Sequence, residues 1–248
     1  MKLSLVSYNN HLTAITRKRV FVKVANQLQS DIILFPGHSL KDIDDAIEVA
    51  SQLKKNHPLI ILELENFGNT TLRIHNAIFS IKDKKLINHY TGQLFSSRDD
   101  IKGQEVLMAK FFDEIPRRSF NYDGKSFLIV QCGENSFLGN RQADSNKAYF
   151  SFENNERLNE RFERMMADYD VLLNPIHTIQ GNQGKMSKRR EYLSKDGRYY
   201  FGTCSLDEKT EGNLKHKCLQ YALRSGNELT TMDECSDGKY YIARTFEL

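Results

Sequence analysis

KSFLIVQCGEN, residues 125–135, is the stretch on which the fold reading turns. Ser126 to Val130 is a short continuous apolar run of strand length, the pattern of a strand covered on both faces. It leads straight into Gln131-Cys132-Gly133, so a thiol stands where the strand ends. Strand ends in layered α/β folds are where site residues gather.

Working outward, the same kind of run recurs on both sides. Upstream, DIILFPGHSL (31–40) is a buried strand stopped by Pro36-Gly37, and LIILE (59–63) is another. Leu3, Leu5 and Ser7 alternate as a first strand. A helix capped by Thr16 is expected to bury Val20, Val24 and Leu28. A second, about Lys41 to Lys55, has Ile43, Ala46, Ile47 and Ala50 on one side. Arg73 to Ile81 and Leu86 to Tyr90 form a hairpin across the polar turn 82–85. Downstream, Glu156 to Tyr169 is a charged helix with Leu158, Phe162, Met165 and Met166 as its apolar residues. The run VLLNP (171–175) is a central strand. A basic helix from about Lys185 to Leu193 precedes a strand at Tyr199 to Thr203. Cys218 to Leu223 and Tyr240 to Phe246 supply late strands. Alternating strands and helices mixed with hairpins imply layered sheets flanked by helices, in one domain spanning residues 1–248.

Bulk composition narrows the function classes. The chain has 248 residues, 40% hydrophobic and 27% charged, which is ordinary for a globular protein and long enough for a sizeable core. A net charge of +3 is too small for a nucleic-acid partner. Arg17-Lys18-Arg19 and the Lys185–Lys195 run lack interleaved aromatics and read as solvated helix faces. Cys132, Cys204, Cys218 and Cys235 lie far apart without paired spacing, which argues against a metal site or a disulfide framework. No cofactor is expected. No segment has the length of a membrane span or the pattern of a signal peptide, so a cytoplasmic location is the expectation.

Five segments in order, DIILFPGHSL, NAIFSIKDKKLINHY, KSFLIVQCGEN, DYDVLLNPIHT and GKYYIARTFEL, resemble the nitrilase superfamily of carbon–nitrogen hydrolases from end to end. The resemblance implies a four-layer α-β-β-α sandwich that pairs as a homodimer. It also implies a small-molecule amide, nitrile or related ligand. In that family a cysteine attacks the carbon, a glutamate moves the proton and a lysine steadies the developing negative charge. Cys132 matches the cysteine. The glutamate position falls on Gly37, and the lysine position on Gly92 or Gln93, none of which carries charge. Glu134 falls where the family commonly has an acid, two residues past the nucleophile.

Loss of a general base costs about 10²–10⁴-fold in rate, and loss of one oxyanion contact roughly another 10²–10³. His38, one residue past the missing glutamate, is the replacement base that sequence offers, provided that Gly37 re-aims the chain. Glu63 and Glu65 end a neighbouring strand and could lean into the pocket. His177 is expected near it, with Gly37, Gly92, Gln93 and Glu134 lining it or, for Glu134, holding backbone. Three classes follow: a divergent thiol hydrolase of amide or nitrile C–N bonds, a catalytically inactive relative that binds a small amide, amine or carboxylate as a regulatory subunit, and a scaffold. On sequence alone the inherited partners of Cys132 are absent. The deciding observation is which side chains reach its sulfur.

Overall fold

The computed structural model describes residues 1–9, 11–65, 76–177, 182–205 and 220–248. Its strands are β1 (Lys2–Tyr8), β2 (Ile32–Leu34), β3 (Leu59–Leu64), β4 (Ala77–Lys82), β5 (Lys85–Asn88), β6 (Ser119–Tyr122), β7 (Lys125–Ile129) and β8 (Leu138–Arg141). They continue as β9 (Lys147–Phe150), β10 (Val171–Ile176), β11 (Tyr199–Cys204), β12 (Gln220–Arg224), β13 (Asn227–Glu228), β14 (Asp233–Ser236) and β15 (Tyr241–Glu247). The helices are α1 (Ala14–Gln27), α2 (Ile43–Gln52), α3 (Arg98–Ile101), α4 (Glu105–Arg118), α5 (Glu156–Asp168) and α6 (Gln183–Leu193). Cys218 and residues 73–75 of the expected hairpin lie outside the described residues.

Among the described residues, one sheet has the order β14-β15-β1-β2-β3-β4-β5 and a second the order β13-β12-β11-β10-β7-β6. β1, β2 and β3 run parallel, as do β7, β10 and β11, with antiparallel strands toward both edges. Three apolar layers hold these sheets, and the two-residue period of each strand decides which layer a side chain joins. Ile32 and Leu34 of β2 meet Phe127, Ile129, Val171 and Leu173 between the sheets. Ile33 and Phe35 turn the other way, onto Phe21 and Val24 of α1 and Val49 and Ala50 of α2. Leu128 and Val130 turn outward from the second sheet onto Phe111, Phe162 and Met165 of α4 and α5. The result is the α-β-β-α sandwich, with continuous apolar strands because both faces are covered.

Two local readings differ from the structure. Helix α1 is capped by Thr13, whose side chain accepts from Thr16 N, so it starts a turn before the expected Thr16. On α2 the buried stripe is Ala46, Val49, Ala50 and Leu53, while Ile43 and Ile47 are exposed. Ala46 and Ala50 belong to both stripes, and the face toward the sheet is completed by Val49 and Leu53 rather than by the two isoleucines. Helix α4, which packs Met108, Phe111 and Phe112 on the second sheet, has no counterpart in the sequence reading. Phe162, Met165 and Met166 are buried in the chain's own core.

A buried ion pair fixes the turn that follows β7. Arg118, the last residue of α4, pairs with Glu134 inside the short 3-10 turn Cys132–Phe137, and both side chains are fully buried. The remaining Arg118 donors reach Thr91 Oγ1 at 3.2 Å and the Gly92 carbonyl. Glu134 also accepts from Leu94 N at 2.8 Å and Gln131 N at 2.9 Å. Each charge is therefore met by hydrogen bonds on every side, the condition under which burying it is tolerable. Removing one partner strands the other. Arg118→Leu is expected to lower the free energy of urea unfolding by about 3–5 kcal/mol. A loss under about 1 kcal/mol would mean that the backbone amides alone satisfy Glu134.

Candidate active site

The C-terminal ends of the parallel strands from both sheets meet at one place. Gly37, just past β2, donates its backbone N–H to the carbonyl of Ile176, the last residue of β10 in the other sheet, at 3.1 Å. Strand alternation then sets what faces inward. Leu59 and Ile61 of β3 point between the sheets, and so does Glu63. Phe127 and Ile129 of β7 point there, and so does Gln131. Glu63 is completely buried and accepts three hydrogen bonds: Gln131 Nε2 at 2.6 Å, His38 N at 3.1 Å, and the His177 ring through Nε2. Gln131 Nε2 also donates to the Asn76 carbonyl.

His177 is held from three directions. Its Nε2 is bound to Glu63, its ring stacks on His38 with centroids 3.9 Å apart and planes 16° from parallel, and it is hydrogen-bonded to the Cys132 side chain. With Nε2 committed to Glu63, Nδ1 is the nitrogen left for the sulfur. Burial, the largest single effect, lowers the His177 pKa. The bonds to Cys132 and Glu63, with their charges, raise it and together win, leaving it near 10. His177 is therefore an imidazolium at neutral pH. His38 moves the other way, pushed down first by burial and then by the charge on His177. A neutral His38 suits its contact with Asn76 Oδ1 at 2.9 Å, because Asn76 gives its own N–H to Gln93 Oε1 at 2.8 Å. That orientation leaves Asn76 Oδ1 to accept from His38 Nε2.

Cys132 itself has a backbone φ of +31°, outside the range ordinary for a residue with a side chain. The strand cannot continue through such a residue, so the chain breaks there into the 3-10 turn. Strain of this kind gathers at functional positions and is maintained by surrounding bonds. Here Asn174 supplies them, donating to the Val130 carbonyl and, at 3.4 Å, to that of Cys132, while Tyr200 donates to Asn174 Oδ1 at 2.7 Å. The thiol is partly exposed and packs against the buried pair Ile176 and Cys204.

The residues singled out in the sequence thus separate into different roles. Gly37 does not re-aim the chain; His38 does so itself, with φ +56°. What Gly37 supplies is space. A Cβ there would lie 2.1 Å from His177 Cδ2, so the ring occupies the volume that a side chain at 37 would need. Gln93 touches the cluster through Asn76, whereas Gly92 offers only its carbonyl to Arg118. Glu134 is used up by Arg118 and backbone. Glu65 is outside the cluster, 3.9 Å from Arg17. The imidazole bonded to the thiol is that of His177, while the His38 ring meets Asn76 and stacks on His177. Gln131 and Asn76 were not anticipated, although alternation from Phe127 and Ile129 would have aimed Gln131 inward. His38, Glu63 and His177 bring ligand-type atoms within 4.8 Å of one another. Gathering a cation there would require breaking the His177–Glu63 and His38–Asn76 bonds, so the arrangement reads as a proton network.

Compared with solved structures, the chain is similar to a CN-hydrolase superfamily protein of Xanthomonas campestris that carries an arsenic adduct in its active site. The match has a TM-score of 0.58 and 11% identity, over 100% of this chain and 90% of that one. It is also similar to a mutant amidase from Nesterenkonia sp. AN1 with the acetamide moiety of fluoroacetamide on its active-site cysteine. That match has a TM-score of 0.55 and 9% identity, over 99% and 90% of the two chains. A glutamine-dependent NAD(+) synthetase from Cytophaga hutchinsonii matches with a TM-score of 0.53 and 9% identity, over 99% of this chain and 43% of that one. No family model matches the sequence, and no curated protein matches it. The fold is that of the nitrilase superfamily, in a divergent form.

Proton-coupled NMR of the histidine rings tests the electrostatics. The His177 resonance is expected to stay in its protonated position up to about pH 8 and titrate near 10, while His38 titrates below the ordinary histidine value near 6.5. Glu63→Gln should bring the His177 titration down. A His177 midpoint near 6.5 in the unaltered chain would show that the ring lacks these partners.

Proposed function

We propose that this protein is a thiol-dependent hydrolase of small amides that uses Cys132, His177 and Glu63 in place of the family's usual cysteine, glutamate and lysine. One observation carries the reading: His177 is hydrogen-bonded at once to the Cys132 side chain and to a buried carboxylate. A nucleophile, a base and a group that orients the base, bonded in series, are what acyl transfer through a covalent intermediate requires.

The chemistry follows from these contacts. In the attacking form His177 carries the proton taken from Cys132, stabilised there by Glu63, and the sulfur attacks the amide carbon as its carbonyl π pair moves onto oxygen. The imidazolium then gives its proton to the departing nitrogen, the C–N bond breaks, and ammonia or an amine leaves behind a thioester. Neutral His177 takes a proton from water, whose oxygen attacks the thioester. The acid departs and the sulfur–imidazolium pair is restored. Glu63 keeps the ring in one orientation through both steps, and the stacked His38, neutral and hydrogen-bonded to Asn76, limits its rotation. The amidase neighbour with a covalent adduct on its cysteine supports the choice of substrate class.

Positions 92 and 93 hold glycine and glutamine, so the inherited cation for the oxyanion is missing. Such a loss costs roughly 10²–10³ in rate, and slow turnover is expected. This same absence favours the second reading, a ligand-binding protein without turnover.

Ammonia release from a panel of short aliphatic amides separates the two. Turnover should be abolished by Cys132→Ala and reduced about 10²–10⁴-fold by His177→Ala. Gly37→Glu should act like His177→Ala, because the new side chain displaces the ring. At pH 7 iodoacetamide should label Cys132 at least about tenfold faster in the unaltered chain than in His177→Ala. No ammonia from any amide, together with equal labelling rates in the two chains, would leave the non-catalytic reading in its place.

A further inference from the structure

Strands β5 and β6 end their respective sheets, and among the described residues no further strand lies beyond either. Between them the two sheets part, leaving an open cleft of about 300 Å³. Leu59 and Ile61 of β3 and Ile87 of β5 line it from the first sheet, Phe120 and Tyr122 of β6 from the second. Phe120 is held against Phe127 of the inter-sheet core, with ring centroids 4.9 Å apart and planes 8° from parallel. The walls are thus almost wholly carbon, a surface whose removal from water is favourable.

Two polar side chains in the walls are already paired. His89 meets the Arg117 carbonyl through Nδ1 at 3.2 Å and Ser80 Oγ through Nε2 at 3.0 Å. A carbonyl only accepts, so Nδ1 carries the hydrogen and Nε2 accepts from the Ser80 hydroxyl. Burial holds the His89 pKa below the ordinary histidine value, which keeps this ring neutral. The charged lining residue is Lys82. Its Nζ lies 5.7 Å from the centroid of Tyr122, so the ammonium reaches from the first sheet toward the second across the cleft.

Among the described residues Lys82 has no carboxylate at ion-pair distance. Its direct strand partner is another lysine, Lys85, and Lys125 is the partner of Tyr122. Like charges directly opposite each other on a sheet are unfavourable. Lys84 adds a further cation, so across the turns 82–85 and 122–125 four lysines stand against two exposed aspartates, Asp83 and Asp123. An apolar slot with a positive rim complements an apolar body that carries one negative charge.

We propose that this cleft is a second ligand site, separate from Cys132, and that it takes an aromatic carboxylate of two fused rings. A cavity of about 150 Å³ holds one benzene, and the cleft, at about 300 Å³, has room for twice that body. The rings pack on Ile61, Phe120 and Tyr122, and the carboxylate accepts charge-assisted hydrogen bonds from Lys82 Nζ at the rim. This end of the sheet lies away from the thiol chemistry. Lys82 follows the Ile60–Ile81 pair, level with Leu59 and four residues before Glu63, about 13 Å along the strand at ~3.3 Å per residue. The inference does not rest on the hydrolase reading and stands whether or not Cys132 turns anything over.

The probes are 2-naphthoate and 2-naphthalenemethanol, alike in their rings and differing in one negative charge. Calorimetry on the unaltered chain should give the naphthoate an affinity at least about threefold higher than that of the alcohol, the scale of a partly exposed ion pair. Lys82→Gln should erase that preference and leave the affinity for the alcohol in place. Ile87→Trp, at an exposed position on the mouth of the cleft, should weaken binding of both probes severalfold by filling the slot. Saturating naphthoate should leave the rate of iodoacetamide labelling at Cys132 unchanged. Binding of neither probe, equal affinity for the two, or a preference that survives Lys82→Gln would overturn the proposal. So would affinities untouched by Ile87→Trp, or protection of Cys132 by naphthoate, which would place the rings beside the thiol. Ammonia release is read separately, so failure of this site and failure of the hydrolase reading give different results.

Discussion

The Glu63 carboxylate is the point on which the site is built. It is a charge without solvent contact, and it persists because three donors from three separate strand ends converge on it. Those donors belong to both sheets: His38 N and the Glu63 strand to one, Gln131 and His177 to the other. Satisfying this single anion therefore fixes how the two sheets meet at their C-terminal ends. It also fixes the histidine. An imidazole that gives Nε2 to a buried carboxylate must present its other nitrogen away from it, and the thiol lies there.

Seen from this anion, the empty position at 37 changes its meaning. Relative to the family pattern it is a lost glutamate. In the structure, the missing side chain is the condition for the His177 ring to approach, since even a methyl group at 37 would overlap it. A carboxylate is present on the next strand, as Glu63, with the His177 ring between it and the sulfur. The other inherited charge, at 92 or 93, has no comparable substitute in the same place.

Much of the layered fold was legible in the sequence, because strands such as DIILF and SFLIV are apolar at every position and can only be covered on both faces. Helix faces were less legible. Ile43 and Ile47 satisfy helical spacing as well as Val49 and Leu53 do, and only the closeness of the sheet chooses between them. Helix α4 carries Met108, Phe111 and Phe112 at helical spacing, yet it went unread beside the stronger strand signals. At the site, Cys132 was found through its segment, and His177 and Glu63 were each noticed singly. Their partnership was not legible, since nothing local in the chain announces a bond between residues 114 positions apart. Gln131 was overlooked for the opposite reason, lying beside the residue that drew attention.

That separation along the chain has a consequence for how the protein comes into being. The Arg118–Glu134 pair closes a span of 16 positions, whereas Gln131 reaches Glu63 across 68 and His177 reaches it across 114. Short closures form early and distant ones late, because the entropy of closing a long loop must be overcome first. A growing or refolding chain thus shapes the turn at Cys132 before the histidine and carboxylate arrive. During that interval the sulfur lacks its histidine partner, and the bonds that join Cys132, His177 and Glu63 are complete only when both sheets have docked. Closure of the site and completion of the native sandwich are in this sense one event.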